Sequence, residues 1–181
     1  MPRADASSAD CLVFTFKEGL LSAVAHDLKL RVSRFFVDFT DGVVTAEFAA
    51  DSLRVLHALR DGREDSAALS ESDRRKIERT IVEDVLAAGR HPTIRFVSTR
   101  VQQTDAGFDI HGELSLHGQR RMLQVQAKVV GPRYVADVVL HQPDFGIKPY
   151  TAMLGALRIR PDVRIEIAIP TATWTTGTAQ H

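Results

Sequence analysis

The chain has 181 residues, which fits one domain, and 44% of them are apolar against 25% charged, as in an ordinary soluble globular protein. Lys plus Arg and Asp plus Glu both number 23, and this balance argues against nucleic acid as the main partner, because phosphate binding needs surplus positive charge on one face. The single cysteine, Cys11, rules out an intramolecular disulfide and a cysteine-based zinc site.

The sequence contains no apolar run of the ~18 residues that a membrane-spanning helix needs. Residues 1–10 are polar and lack the apolar core of a secretory signal. We therefore expect a cytoplasmic protein with a disordered leader at residues 1–10, one domain at residues 11–170 and a flexible tail at residues 171–181.

Apolar residues recur at every second position in much of the first fifty residues, which is the pattern of β-strands. The phase of this alternation breaks at Phe35-Phe36-Val37, which predicts a bulge or bend, and Asp41-Gly42 predicts a hairpin turn. Residues 18–25 are interpreted as a connection or one helical turn, and residues 51–65 as a mixed, polar region. The strands predicted in this part are residues 12–17, 28–39 and 43–50.

One amphipathic helix is predicted next. Ser70 is a suitable N-cap with Asp73 three residues later, and Gly89 followed by Pro92 predicts the end of the helix. The other faces are charged, so the helix is expected to cover the sheet or one mouth of a barrel. The apolar stripe at helical spacing consists of Ile77, Ile81, Val82, Val85 and Leu86.

Alternation returns after Pro92 and is broken mainly by short turns that contain glycine. The fold predicted is therefore mainly all-β: an eight-stranded antiparallel up-and-down barrel with one amphipathic α-helix between the third and fourth strands. Eight strands is the number at which a barrel interior is either just filled or holds one small ligand. The remaining five predicted strands are residues 93–102, 108–117, 122–129, 134–141 and 163–169.

Residues 141–156 interrupt the strands. Pro143, Gly146 and Pro149 cannot lie inside a central strand, so the segment is predicted to turn a corner. It still carries five large apolar residues, and we expect it to pack over one end of the barrel. These residues are Phe145, Ile147, Tyr150, Met153 and Leu154.

The seven histidines are the group in which a metal or acid–base site would be sought. His111 and His117 are six residues apart on one strand face, which places them about 20 Å apart and too far to share a metal. No HExxH spacing occurs. We therefore predict no catalytic residue, no metal site and no cofactor, and we expect that the protein is not an enzyme.

Three segments resemble the signatures of one family. They are residues 89–99 (Gly-Arg-His-Pro-Thr-Ile-Arg-Phe-Val-Ser-Thr), residues 112–118 (Gly-Glu-Leu-Ser-Leu-His-Gly), and Asp144-Phe145-Gly146-Ile147 with Gly155-Ala156. In this order they resemble the bacterial YceI-like family of polyisoprenoid-binding, lipocalin-like barrels over residues 12–170. The resemblance implies an extended eight-stranded antiparallel barrel beside a helix, with an isoprenoid chain in the pore of some members. Many members carry a secretory signal, which the first residues of this chain do not resemble. Residues 20–27 also differ from the commonest pattern of the family, of which only His26 is kept.

The function expected first is binding, sequestration or transport of an apolar amphiphilic lipid of isoprenoid, quinone or fatty-acyl type inside the barrel. One alternative is a non-catalytic, stress-related or partner-binding module with a filled barrel, and another is a small lipid-modifying enzyme. The expected partner is an apolar small molecule, with no nucleic acid and no membrane span, and a homodimer is left open. The residues predicted to line the lumen are Phe14, Phe36, Phe96, Phe145, Tyr150 and Met153, with His26 and His141 as contacts of the lipid head group.

Overall fold

The structure, a computed structural model, describes residues 3–19 and 25–174. These residues form a mainly β protein with one α-helix, in which every strand pairing is antiparallel. Three short strands form a small sheet: β3 (Lys17–Glu18), β13 (Thr151–Ala152) and β14 (Leu157–Ile159). Twelve strands form the large sheet: β1 (Arg3–Asp5), β2 (Asp10–Thr15), β4 (Asp27–Val32), β5 (Phe35–Thr40), β6 (Val43–Ala49), β7 (Leu53–Arg60), β8 (Arg63–Asp65), β9 (Thr93–Thr104), β10 (Gly107–Leu116), β11 (Gln119–Val130), β12 (Arg133–His141) and β15 (Asp162–Pro170).

The large sheet is strongly curled, and its hydrogen-bonded order is β1-β5-β6-β9-β10-β11-β12-β15-β2-β4-β7-β8. The last long strand, β15, pairs with the early strand β2, so the two ends of the chain meet inside the sheet. The mainly β class, the antiparallel pairing and the helix agree with the sequence prediction. The predicted number of eight strands is wrong, because twelve strands in the described part of the chain join the sheet.

The segment 28–39, predicted as one bent strand, is two strands near opposite ends of the sheet order. Even-numbered residues face inward in β4 and odd-numbered residues face inward in β5, so the phase break marks a change of strand. The Ser33 amide donates to the carbonyl of Ser52 at 2.9 Å, and the Ala49 amide donates to the carbonyl of Arg34 at 3.0 Å. These bonds join the connection between β4 and β5 to the connection between β6 and β7, and so hold the two ends of the curled sheet together.

Strand β7 was missed by the sequence prediction for a local reason. Its pairing with β4 shifts register between Lys29 and Leu30. The buried residues therefore fall at Leu53, Val55 and Ala58, which breaks the simple alternation. An irregularity of this kind is a β-bulge, and it hides a strand from period-two analysis.

Helix α1 (Glu71–Thr80) begins at Ser70 in the predicted capping box, with the Ser70 hydroxyl accepting from the Asp73 amide and the Asp73 carboxylate accepting from the Ser70 amide. A π-helical turn (Ile81–Val85) continues it, and the chain leaves the helix at Ala87, which has a φ of 46°, before the predicted stop at Gly89. The Glu78 carboxylate accepts from the Val55 amide at 2.8 Å. The helix therefore covers the part of β7 that has no second strand beside it among the described residues.

The first residues that the structure describes differ from the disordered leader expected from their polarity. Residues 3–5 form β1, Arg3 pairs with Asp38 at 2.8 Å, and Ala4 is fully buried against β5. At the other end, Trp174 is buried within the part of the chain predicted as a flexible tail. Residues 175–181 lie outside the described residues, as do residues 20–24 of the predicted connection. No helix in the described ranges is both long and apolar enough to span a membrane.

Candidate ligand-binding cavity

The inner face of the curled sheet encloses a cavity of about 760 Å³. Ligand pockets in proteins are commonly about 300–1,000 Å³, so this volume suits one elongated small molecule. Its walls are almost entirely aliphatic and come from most strands of the large sheet. The wall residues include Val13, Leu28, Leu30, Val37, Val44, Ala46, Ile94, Ile110, Leu114, Val125, Ala136, Val138, Ile165 and Ile167.

One end of the cavity is closed by four aromatic rings, which we call the aromatic plug: Phe39, Phe108, Tyr134 and Trp174. Five pairs of these rings have centroids 5.2–6.1 Å apart, in tilted or edge-on arrangements. Aromatic pairs of this geometry stabilise the folded state in addition to the free energy gained by burying their apolar surface. Tyr134 and Trp174 face the cavity, so the plug forms its floor.

The corner at residues 142–150 lies at the opposite end. Phe145 and Ile147 are only 2% and 3% exposed, and both line the cavity together with Leu116 at the end of β10. Leu116 is eight residues beyond Phe108, or about 26 Å along an extended strand. The cavity therefore runs the length of the sheet, from the aromatic plug to the corner.

The three segments that resemble the family signatures meet at this end. The Phe96 ring fills the space beside Gly112, where an added Cβ would lie 2.4 Å from Phe96 Cζ. The His91 and His117 rings have centroids 4.7 Å apart. The corner is fixed to the β10–β11 turn by His117, whose Nδ1 donates to the carbonyl of Phe145 at 3.2 Å. Segments far apart in sequence therefore support one structure, the end wall of the cavity.

The hairpin of β13 and β14, residues 151–159, forms a cap over the same end, and we call it the cap hairpin. Ala152, Leu157 and Ile159 line the cavity from its inner face. The buried Gln142 donates from Nε2 to the carbonyl of Arg160 at 3.1 Å, which joins the corner to the base of this hairpin.

The Asp, Lys and His side chains among the lining residues gather beside the helix, next to one threonine. Asp73, Lys76 and Thr80 lie on one face of α1, and His26 lies immediately before β4. We call these four residues the mouth quartet. The Ser70 hydroxyl and amide, which hydrogen-bond to the Asp73 carboxylate, lower the pKa of Asp73, and the charges of Lys76 and His26 act in the same direction. The mouth thus presents both hydrogen-bond donors and acceptors at the edge of an aliphatic cavity.

Four of the eight residues predicted as ligand contacts line this cavity. They are Phe96 on β9, Phe145 and Tyr150 in the corner, and His26 in the mouth quartet. Their contact with a ligand stays a prediction, but the fold brings all four to one continuous surface.

The other four lie elsewhere. The rings of Phe14 and Phe36 are on the outer face, each 4.1 Å from the guanidinium carbon of an arginine, Arg164 and Arg3 respectively. Met153 is 63% exposed at the tip of the cap hairpin. The prediction that these three residues line the lumen is wrong, because none of them is a lining residue. On β2 and β5 the lining residues include Cys11, Val13 and Val37 instead.

His141 also lies outside the cavity lining. Its Nδ1 is 2.6 Å from Asp162 Oδ1, and both side chains are about half exposed. Sequence reasoning missed the three helix residues of the mouth quartet, although their spacing at positions 73, 76 and 80 places them on one helix face. Within residues 3–19 and 25–174, no group of three or more His, Cys, Asp or Glu side chains is arranged to hold a metal ion.

Comparison with known proteins places these features in context. The sequence model of the YceI-like domain matches residues 12–171. No curated protein matches the chain in sequence.

Solved structures show the same fold at low sequence identity. Burkholderia cenocepacia BcnA superposes with a TM-score of 0.59 at 13% identity, covering 91% of this chain and 97% of its own. A polyisoprenoid-binding domain from Saccharophagus degradans, implicated in plant cell wall breakdown, gives 0.59 at 10% identity, covering 93% and 97%. The Campylobacter jejuni YCEI protein gives 0.55 at 11% identity, covering 80% and 84%.

Proposed function

Because the chain belongs to the YceI-like family, we propose that it binds and carries one apolar, amphiphilic lipid in the cavity, with the tail toward the aromatic plug and the head at the mouth quartet. The observation that carries this proposal is the polarity gradient of the cavity. The walls and floor are aliphatic and aromatic, whereas His26, Asp73 and Lys76 stand at one end. A molecule with a long apolar tail and a small polar head matches that gradient.

The head group suited to the mouth is one that both donates and accepts hydrogen bonds or carries a single charge. Lys76 and Thr80 can donate, and Asp73 can accept, since its lowered pKa keeps it ionised at neutral pH. An isoprenoid alcohol or a fatty acid fits these requirements, and a quinone meets only the accepting half, because its carbonyl oxygens accept from Lys76 and Thr80 but cannot donate to Asp73. The likeness in fold to the polyisoprenoid-binding domain supports the isoprenoid class among them.

The apolar tail supplies most of the affinity in this proposal. A tail that buries about 400 Å² of apolar surface gains about 10 kcal/mol, and association costs offset a large part of that gain. The volume of about 760 Å³ also favours an open lumen over the alternative of a barrel filled by its own side chains.

The test combines extraction and blocking of the cavity. Organic extracts of the purified protein are examined by mass spectrometry, and the stripped protein is titrated with a C20 prenol, a short-chain prenylquinone and palmitate. Ala136→Phe places a ring into the cavity from β12, and we expect it to weaken binding at least about tenfold with little loss of stability, because the ring fills existing space.

Val139→Phe is the matched control, because Val139 lies on the same strand with 64% of its surface exposed and is not a lining residue. It should bind as the unaltered protein does. Absence of lipid from the extracts together with no binding of the three probes contradicts the proposal, as does equal weakening by both variants.

A further inference from the structure

The tip of the cap hairpin exposes apolar side chains directly beside the cavity mouth. Leu154 is fully exposed, Met153 is 63% exposed, and Tyr150 is 40% exposed while also lining the cavity. The inner face of the same hairpin lines the cavity through Leu157 and Ile159. This short element is therefore apolar both toward the lumen and toward the outside.

The backbone of the tip holds these side chains in an unfavourable conformation. Met153 and Leu154 have φ values of 51° and 56°, in the left-handed region that favours glycine, asparagine or aspartate. Two large apolar residues occupy these positions, and their exposure shows that packing within the described chain does not compensate for the strain. Strain of this kind, where it is observed, points toward a functional role.

The charged side chains within the segment that carries the tip are all positive. Residues 146–160 contain Lys148, Arg158 and Arg160 and no Asp or Glu, although the chain as a whole has zero net charge. All three cations are exposed. Strand alternation directs Arg158 away from the cavity that its neighbours Leu157 and Ile159 line. Glu18 lies opposite Arg158 in the small sheet and offsets one of these charges, which leaves a positive surplus.

We propose that the cap hairpin docks on the anionic surface of a lipid bilayer, with Met153 and Leu154 inserted among the lipids and the three cations at the head groups. An exposed apolar tip flanked by Lys and Arg is the pattern of an interfacial anchor. Docking turns the cavity mouth toward the bilayer, so a lipid passes between membrane and lumen with little exposure to water. The inference deepens the proposed function and rests on it for its purpose.

A bilayer fits this tip better than a second copy of the chain does. A twofold contact brings the same patch of each copy together, so the cations of residues 146–160 would face their own copies. The apolar part is a narrow projection of two side chains rather than a broad, flat face. An anionic lipid surface attracts the cations and also accepts a narrow apolar projection among its acyl chains.

Vesicle flotation tests the apolar contact. The protein should float with vesicles of phosphatidylcholine and phosphatidylglycerol in a 70:30 ratio, and Leu154→Asp or Met153→Asp should weaken this partition about tenfold. Aspartate tolerates left-handed backbone, so both variants should fold, which circular dichroism and thermal melting check.

Met122→Asp is the matched control, since Met122 is 61% exposed on β11 and lies outside the hairpin. It should partition as the unaltered protein does. Equal losses for Met122→Asp and Met153→Asp overturn the proposal.

A second set of variants tests the charges. Lys148→Gln and Arg158→Gln should each weaken binding to the anionic vesicles about fivefold and leave binding to pure phosphatidylcholine unchanged. Lys128→Gln and Arg90→Gln, at exposed positions outside the hairpin, should change neither. If both pairs of variants weaken binding to the anionic vesicles equally, only the overall charge of the protein matters. That result overturns docking by this hairpin.

Lipid content, affinity for the soluble probes and sedimentation are measured on the same samples. Protein that carries lipid but does not float with either kind of vesicle overturns the docking and leaves the proposed function standing. If the protein floats, the hairpin variants abolish flotation and the protein carries no lipid, the proposed function alone is overturned. If the unaltered protein is a dimer that does not float, and Leu154→Asp converts it to a monomer, the tip is a contact between copies. That result overturns the bilayer proposal.

Discussion

The two ends of the cavity are built in different ways. The floor is the aromatic plug, in which neighbouring ring centroids are 5.2–6.1 Å apart and Trp174 is buried. The opposite end combines a helix face, an irregular corner and a hairpin whose tip is exposed and left-handed. Burial of aromatic area therefore stabilises the floor, whereas the opposite end leaves apolar and charged side chains exposed to the surroundings.

The mouth is held by individual hydrogen bonds in addition to the burial of Phe145 and Ile147. His117 donates to the carbonyl of Phe145, Gln142 donates to the carbonyl of Arg160, and Ser70 and Asp73 cap the helix. Each bond of this kind contributes roughly 1 kcal/mol, so each can open without loss of the whole fold. We therefore expect substitutions at the plug to affect global stability and substitutions at the mouth to affect local opening and binding.

The largest effect is expected from removing a ring of the plug. Phe108 is 7% exposed and packs against Phe39, Tyr134 and Trp174, so Phe108→Ala should lower the free energy of unfolding by about 3–5 kcal/mol. Denaturant titration measures the loss. Phe36→Ala, which removes the same ring from the outer face, should cost only about 1 kcal/mol. Equal costs would show that the plug is not the stabilising end.

The next largest effect concerns Cys11, which is 2% exposed on the cavity wall. Burial raises the pKa of its thiol to about 12, so little thiolate forms at pH 8. Its reaction with a disulfide reagent should be at least about a hundredfold slower in the folded protein than in denaturant, and it should speed up with rising pH.

A cysteine at the mouth gives the comparison for this reaction. In a chain with Cys11→Ala and Thr80→Cys, the new thiol should react within about tenfold of the unfolded rate, because Thr80 lies beside the polar groups of the mouth. If native Cys11 reacts as fast as the cysteine at position 80, the cavity wall opens to the reagent as readily as the mouth does.

The same contrast shows what the sequence could reveal about the fold. The strands from residue 93 to residue 141 were predicted within a few residues, because one face packs on the lumen and the other meets water. Strand β9 also contains a register shift, at Thr99, but regular alternation on both sides of it was long enough to mark the strand. Strand β7 was hidden by its bulge, and β4 and β5 were merged because the chain changes sides of the curl within two residues. Strands as short as β3 and β13 have two residues each, too few to show any period.

The candidate site was harder to predict than the fold. On β2 both faces are apolar in sequence, so alternation alone could not decide whether Phe14 or Val13 faces the lumen. The Phe14 ring is covered by Arg164 from β15, a contact that only the folded sheet creates. Phe145 lies at the cavity wall, as expected for an apolar residue in a proline-rich corner that must pack against something, and its contact with a ligand stays a prediction.

A smaller effect is expected at the start of α1. Ser70→Ala removes the side-chain half of the capping box and should lower the free energy of unfolding by about 1 kcal/mol at pH 7, with faster amide exchange in the helix. Ser72→Ala, two residues further on in the first turn of the helix, should be neutral or slightly stabilising, because alanine favours helix.

The capping effect should also depend on pH. The pKa of Asp73 is lowered in the folded state, chiefly by the Ser70 hydrogen bonds, so its contribution is present above the unfolded pKa and is lost as pH falls through the folded one. The difference between Ser70→Ala and the unaltered protein should therefore shrink below about pH 4. A difference that stays constant down to pH 2 would show that the Asp73 carboxylate takes no part in the cap.

The smallest effect distinguishes the two histidines that were predicted to contact the head group. His26→Gln should weaken binding of a charged or hydroxylated lipid about threefold, because His26 lines the cavity near Asp73 and its imidazole is one of the few polar groups there. His141→Gln should leave the affinity unchanged, since its ring pairs with Asp162 at the surface, where such pairs contribute about 0–1 kcal/mol. Titration of both variants with palmitate and with a C20 prenol measures the difference. If His141→Gln weakens binding and His26→Gln does not, the lipid head lies away from the mouth quartet, and the polarity gradient has been interpreted in the wrong direction.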